Sequence, residues 1–163
     1  MARRPCIAAL LAGAAATAGC GERPSVSPPQ IHYGQDACAA CGMIISDERF
    51  AAGLVTGTAG RYQTFAFDDL GCLLDHEAAL RDEPVAARYV RDFQAARWRE
   101  AESAFYVHCT ALHSPMAFNL AACGSREDAE ALGAERGGEI LDFQRVQRRF
   151  EEGVLAARQG ERR

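Results

Sequence analysis

The chain has 163 residues, 48% of them hydrophobic and 25% charged, the profile of a folded protein with room for one ordinary domain or two very small ones rather than of a disordered chain. With 18 Lys and Arg against 22 Asp and Glu the formal net charge is −4, a balance that does not invite nucleic acid. Every basic residue is arginine, which by itself points to no function.

In chain order, the first segment, MARRPCIAALLAGAAATAGC, has two arginines, an apolar run from Ile7 to about Ala18, then small residues ending in a cysteine. That is the layout of a secretory signal, and the run is too short for a comfortable transmembrane span. TAGC resembles a bacterial lipobox, in which Cys20 becomes the acylated N-terminus, although Thr17 stands where leucine is usual. Loss of residues 1–19 removes Arg3 and Arg4, leaving 16 Arg against 22 Asp and Glu, near −6. Residues 20–30 (CGERPSVSPPQ) are rich in Pro, Ser and Gly, as expected of a tether between membrane and folded body. The fold is expected to begin near Ile31.

Cys6 leaves with the signal and Cys20 is taken by acylation, so Cys38, Cys41, Cys72, Cys109 and Cys123 remain. An odd number in an oxidising compartment cannot pair completely within the chain, which disfavours a pure disulfide scaffold.

Residues 47–56 (DERFAAGLVT) and 61–67 (RYQTFAF) read as strands around the turn GTAG, 69–82 (DLGCLLDHEAALRD) as a helix, and 86–94 as a strand. Asp68 and Asp69 at the strand-to-helix junction read as a helix cap with a charged neighbour. The pattern then recurs: strands over 103–109 and 117–123, a helix over 125–136 with Ser125 as N-cap and Gly137 closing it, and a strand through GGEILDFQRV. The expected fold is α+β, two small β-β-α-β lobes (31–98 and 99–148) packed together, with a terminal helix in the polar tail 149–163.

The chemistry centres on CAACGM, residues 38–43. Cys-X-X-Cys spacing alone serves disulfide exchange, zinc and copper alike. The mature chain holds two methionines, Met43 in CGM and Met116 in HSPMAF, and each lies in a turn-like stretch near cysteine or histidine. Copper(I) is soft and selects thiolate and thioether, whereas zinc rarely takes a thioether. Gly42 permits a tight turn that brings Cys41 and Met43 to one side, and Met116 follows Pro115 with His113 and His108 upstream. For zinc, a second Cys-X-X-Cys or His-X-His half is missing; for redox work, CAAC lacks a β-α-β context in which it would open a helix. A Cys38–Cys41 disulfide in the metal-free, oxidised protein remains an open alternative. Cys72 and Cys123 read as small buried hydrophobes. No phosphate loop, Ser-His-Asp order or HExxH is present, so an enzyme is not expected.

CAACGMIIS with ERFAAGLV behind it, FAFDDLGCLL, HSPMAFNLAA and AERGGEIL occur in this order over residues 36 to about 142, and together they resemble the NosL family of nitrous oxide reductase accessory lipoproteins. The resemblance implies a monomeric Cu(I) chaperone, lipid-anchored in the periplasm at the outer membrane. It would serve the nitrous oxide reductase maturation machinery, a membrane ABC-type complex with a periplasmic component. It also implies lobes similar to the organomercurial-lyase-like fold. Carried over by motif, Cys41, Met43 and Met116 are the expected copper ligands, with Cys38 a looser member; His113, close upstream of Met116, is a further candidate ligand from its position. Members of the family often have glycine after SPM, where this chain has Ala117. Two rival expectations are a thiol-disulfide oxidoreductase or copper reductase using Cys38 and Cys41, and an envelope lipoprotein that binds protein and no metal.

Overall fold

A computed structural model of the chain describes residues 26–58 and 60–155. The expected signal, Cys20, most of the tether and the end of the tail lie outside the described residues. None of the described helices is long and apolar enough to cross a membrane.

The elements run β1 (Ala52–Thr58), β2 (Arg61–Phe67), α1 (Leu70–Leu80), β3 (Val85–Arg91), β4 (Trp98–Glu100), β5 (Phe105–His108), β6 (Leu120–Cys123), α2 (Arg126–Arg136), β7 (Glu139–Asp142) and α3 (Phe143–Glu151). They form an antiparallel sheet in the order β2-β1-β3-β4 and a second, antiparallel, in the order β6-β5-β7. The two β-β-α-β units expected from the sequence are both present. The strand expected over 117–123 begins only at Leu120, the terminal helix lies at Phe143–Glu151 rather than in 149–163, and three further details differ. Residues 47–51 form a turn that precedes β1, because Asp47 receives the Arg49 amide and guanidinium and curls the chain. The short strand β4, not foreseen, pairs with β3, so the expected boundary at 98/99 falls inside it. The strand expected to run on to Val146 ends at Asp142, whose carboxylate receives the Arg145 amide at 2.8 Å and caps α3 instead.

Burial explains the strands. β1 lies inside the first sheet, and its residues 52–56 are buried without a polar alternation, as befits a central strand covered on both faces. In the second sheet successive side chains face opposite ways. Tyr106, Leu120, Ala122 and Leu141 join Leu54, Phe67, Leu73 and Val90 of the first lobe in one core. Val107, Ala121 and Cys123 turn to the other face and pack with Ala129 and Leu132 of α2. The lobes are therefore one body sharing a core. Backbone ties it further: Asp92, at the end of β3, bridges to Ala122 on β6, and the Phe93 amide donates to the Ala122 carbonyl at 2.8 Å.

Phe143 seals the seam, with its ring centroid 6.1 Å from Tyr106 and the Arg88 guanidinium 5.8 Å above it. Arg88 in turn grips Glu77 of α1 and reaches Glu102 at 2.8 Å. The loop between β5 and β6, which carries HSPM, is held in an unusual backbone form. His113, Ala117 and Asn119 all have positive φ, near 50°, 60° and 55°, a region that costs a residue with a Cβ about 1–2 kcal/mol. Ala117 is the position where glycine is common in the pattern noted above, and the strain gives that preference a physical reason.

Two outcomes follow for stability. Phe143→Ala opens the seam and should lower the unfolding free energy by about 3–5 kcal/mol in urea denaturation. Ala117→Gly relieves the positive φ against a larger unfolded-state entropy, so it should raise stability by about 0.5–1 kcal/mol in the same measurement.

Candidate metal site

The cysteine loop is a tight hairpin. Ala37 bridges Ile44, the Cys38 amide donates to the Met43 carbonyl at 2.8 Å, and the Gly42 amide returns to the Cys38 carbonyl at 2.9 Å. Gly42 sits at φ 74°, which lets the chain reverse immediately after Cys41. The Ala39 amide donates to the Ala66 carbonyl at 2.9 Å, so the hairpin is stitched to the end of β2. That end runs straight into Asp68, Asp69 and the first turn of α1, where Cys72 lies.

The result is a group of four donors. The thiol sulfurs of Cys38, Cys41 and Cys72 and a carboxylate oxygen of Asp68 all lie within 4.8 Å of one another. Cys38, Asp68 and Cys72 are buried while Cys41 is exposed, so the group opens to solvent on one side. The Cys72 thiol beside Cys38 stabilises its thiolate, and the amides of Cys41, Asp68 and Ala40 add to this, holding the Cys38 thiol down to about 4 against the effect of burial. Cys72, which provides that hydrogen bond, is pushed far up. Burial also raises Cys41, and the neighbouring Cys38 charge adds to the shift. Asp68 is pushed up to about 6, by burial first and then by the negative charges of Cys38 and Asp69. One of its oxygens, Oδ1, is buried without a hydrogen-bond partner.

Asp69 connects this group to the methionine loop. Its Oδ1 receives the Gly71 amide at 3.0 Å and caps α1, while its Oδ2 receives the Ser114 hydroxyl and, at 3.4 Å, the Met116 amide. Ser114 Oγ receives the Asn119 amide at 2.8 Å, which closes the loop on itself. Burial raises the Asp69 carboxyl to about 6 despite these donors. Gly71 lets the loop come close: a Cβ there would lie 2.1 Å from the Phe118 ring, which rests on the first turn of α1.

The residues expected from the sequence are distributed as follows. Cys38 and Cys41 stand together in the four-donor group. Met43 lies two residues beyond Cys41 and is 55% exposed. Met116 is partly buried against the core that contains Cys38 and Cys72, with its amide on Asp69. His113 is exposed on the same loop, lines a shallow hollow with Thr110, Ser114, Ala117 and Asn119, and is not among the four donors. Sequence reasoning missed Cys72 and Asp68 as members. Part of the signal was available: Asp69 as N-cap places Cys72 in the first turn of α1, four residues after Asp68. Cys109 and Cys123 are elsewhere; the Cys109 thiol donates to the Arg136 carbonyl at 2.9 Å, and burial pushes Cys123 up to about 12.

Comparison with known proteins bears on this geometry. The family model described as NosL matches residues 29–150. The copper-binding lipoprotein NosL of Stutzerimonas stutzeri is 32% identical over 140 residues, covering 78% of this chain and 72% of that protein. A solved structure, the copper chaperone NosL from Shewanella denitrificans, shares the fold with a TM-score of 0.59 at 22% identity, over 74% of this chain and 96% of that one. On the family match and the identity to the Stutzerimonas protein, the chain belongs to the NosL family.

Proposed function

We propose that this protein is a Cu(I) metallochaperone, held in the periplasm by a lipid on Cys20 at the outer membrane, that hands copper to the machinery maturing nitrous oxide reductase. The observation that carries the reading is the buried Cys38 sulfur grouped with the exposed sulfur of Cys41, in a chain whose relatives are a copper-binding lipoprotein and a copper chaperone by name. Residues 1–19 are then the signal, 20–30 the tether, and the two lobes the working body, acting as a monomer.

Copper is the cargo, and its ligands are Cys41, Met43 and Met116, with Cys38 beneath them and His113 as an accessory donor on the Met116 loop. Soft thiolate and thioether suit Cu(I), and they disfavour harder cations. Exposure of Cys41 and Met43 leaves these two sulfurs open to a partner that offers replacement ligands, so transfer proceeds by ligand exchange without freeing the ion. The partner in this reading is the membrane ABC-type complex and its periplasmic component.

The oxidoreductase alternative fits the geometry poorly. Its attacking thiol must be both ionised and accessible. Here the ionised thiol, Cys38, is 2% exposed, and the accessible one, Cys41, is shifted towards the protonated form. The chain is read as a carrier and not as an enzyme.

Anaerobic Cu(I) titration against a chromophoric chelator checks the ligand set. Wild type should take up one Cu(I), Cys41→Ser should weaken it by about a hundredfold and Met116→Ala by about tenfold, by analogy with the loss of one strong or one weaker contact of about 2.7 and 1.4 kcal/mol. Wild-type affinity in both variants would remove the proposed site. The same titration run at several pH values should show affinity falling as pH falls. Cys41, raised in the metal-free protein, must lose its proton to bind, so each unit of pH below that pKa weakens binding by about tenfold per proton released. A flat profile between pH 6 and 8 (about one thiol's range below its pKa) would mean that no thiol proton is displaced.

A further inference from the structure

Charge is divided unevenly along this chain. Residues 143–163 carry six Arg against three Glu, whereas residues 20–142 carry ten Arg against nineteen Asp and Glu. A basic end on an otherwise acidic protein is the footprint of a surface that meets negative charge. We propose that the outer face of α3, continued by the basic tail, is a docking surface for the anionic headgroups of a phospholipid bilayer. The inference rests on the lipid-anchored reading for its setting, and adds to it a second contact with the membrane made by the protein itself.

Helical spacing builds the face. Phe143, Val146 and Phe150 of α3 pack into the body, while Arg145, Arg148 and Arg149, three and four residues apart, line one shallow hollow of about 190 Å³ with Glu152. Arg149 is tied within the molecule, gripping Glu139 with both terminal nitrogens at 2.6 and 2.7 Å. Arg145 and Arg148 are exposed and, among the described residues, neither guanidinium forms an ion pair. The planar fork of arginine suits phosphate oxygens. Glu151 lines a different groove, towards α1, and so stands off this face. Just past the helix, Val154 is 61% exposed, the most exposed large hydrophobic side chain among the described residues. It stands between Arg149 and the Arg158, Arg162 and Arg163 of the tail, and an apolar residue set among arginines is the composition of a segment that rests in a bilayer interface. The tail beyond Leu155 lies outside the described residues and contributes to the argument by its charge alone.

Proximity makes modest charge sufficient. The end of the tether is fastened to the body: Pro29 is buried and lies so close on Gly53 that a Cβ there would be 2.3 Å from it, and the Val26 carbonyl receives the Tyr89 hydroxyl at 3.4 Å. Only residues 20–25 separate Cys20 from this fastened stretch, and six residues span at most about 20 Å. The screening length at physiological salt is about 8 Å, so a body anchored through Cys20 stays within a few screening lengths of the headgroups. Each arginine near an anionic surface adds about fivefold in affinity. Held by both a lipid and this face, the body keeps one orientation, and the exposed sulfurs of Cys41 and Met43, which belong to the acidic remainder, are offered from a fixed direction.

The test uses the mature chain, residues 20–163, with Cys20→Ser so that no lipid contributes, and vesicles of phosphatidylcholine with or without phosphatidylglycerol. Cosedimentation at low salt should recover the protein with the anionic vesicles and leave it in solution with the neutral ones. Arg145→Gln and Arg148→Gln should each weaken binding by about fivefold, and the pair by about twentyfold. Arg61→Gln removes the same charge from exposed β2 of the other sheet, and should change binding by less than about twofold; salt at about 0.5 M should release the wild type. Circular dichroism shows that each variant is folded. Equal binding to neutral vesicles, no binding to anionic ones, or equal losses in Arg61→Gln and Arg148→Gln would overturn the proposal, as would retention on the soluble polyanion heparin without vesicle binding. Mass spectrometry of Cys20 in the wild-type protein recovered from membranes reports on the anchor separately: an unacylated Cys20 with vesicle binding intact removes the lipid and leaves the face standing.

Discussion

The carboxylate of Asp69 closes the first turn of α1 with one oxygen and holds the Ser114–Met116 turn with the other. The two sulfur-bearing loops of this protein come from different lobes, some 70 residues apart in sequence, and this buried ion is where they are joined. On one side of it stand Asp68 and, one helical turn on, Cys72; on the other stands Met116. The Phe118 ring lying on Gly71 reinforces the same junction by shape. Removing a buried acceptor that serves several donors leaves those donors unsatisfied, so the junction is specific in a way that apolar contact alone would not be.

The site is also electrostatically crowded. Cys38 leans to the thiolate, and Asp68 and Asp69 sit beside it with little solvent, each pushed up to about 6. For such a carboxyl the folded state binds its proton more tightly than the unfolded chain does. Its ionisation therefore opposes folding as pH rises from the usual carboxylate range through about 6. A cation placed among these groups reverses that penalty, because it gives the thiolate and the orphan oxygen a counter-charge. The same crowding that makes the metal-free end costly makes it receptive to metal. Burial then grades this end of the molecule: Cys38, Cys72 and Asp68 are buried, while Cys41 and Met43 are exposed.

Much of this was legible from the residues. The alternation of strand and helix signals gave both β-β-α-β units, and Ser125 and Gly137 marked the two ends of α2 as the structure has them. The mixed stretch GGEILDFQRV could not reveal that Asp142 would act as a helix cap, since its few apolar positions fit strand and helix equally. β4 escaped because three residues carry no period. At the site, the CAACGM spacing pointed to the loop that supplies Cys38 and Cys41 to the four-donor group, but a lone cysteine in a helix looks like core until tertiary structure shows what lies above it. Cys72 and Asp68 became donors only when β2 ended beneath the hairpin, a fact that depends on the Ala39–Ala66 hydrogen bond. Ala117 shows the opposite case: one backbone angle, a positive φ, explains why glycine is common at this place, and the alanine here bears the strain.

The central claim is that Asp69 makes one site out of two loops, acting through the position of Met116. A double-mutant cycle on Cu(I) affinity, with Asp69→Ala, Met116→Ala and the pair, tests it most directly. If Asp69 works by holding the thioether in place, Met116→Ala will weaken copper binding in the wild-type background and have almost no further effect once Asp69 is gone. If the two losses simply add, the carboxylate and the thioether act independently and the account of the joined site is wrong.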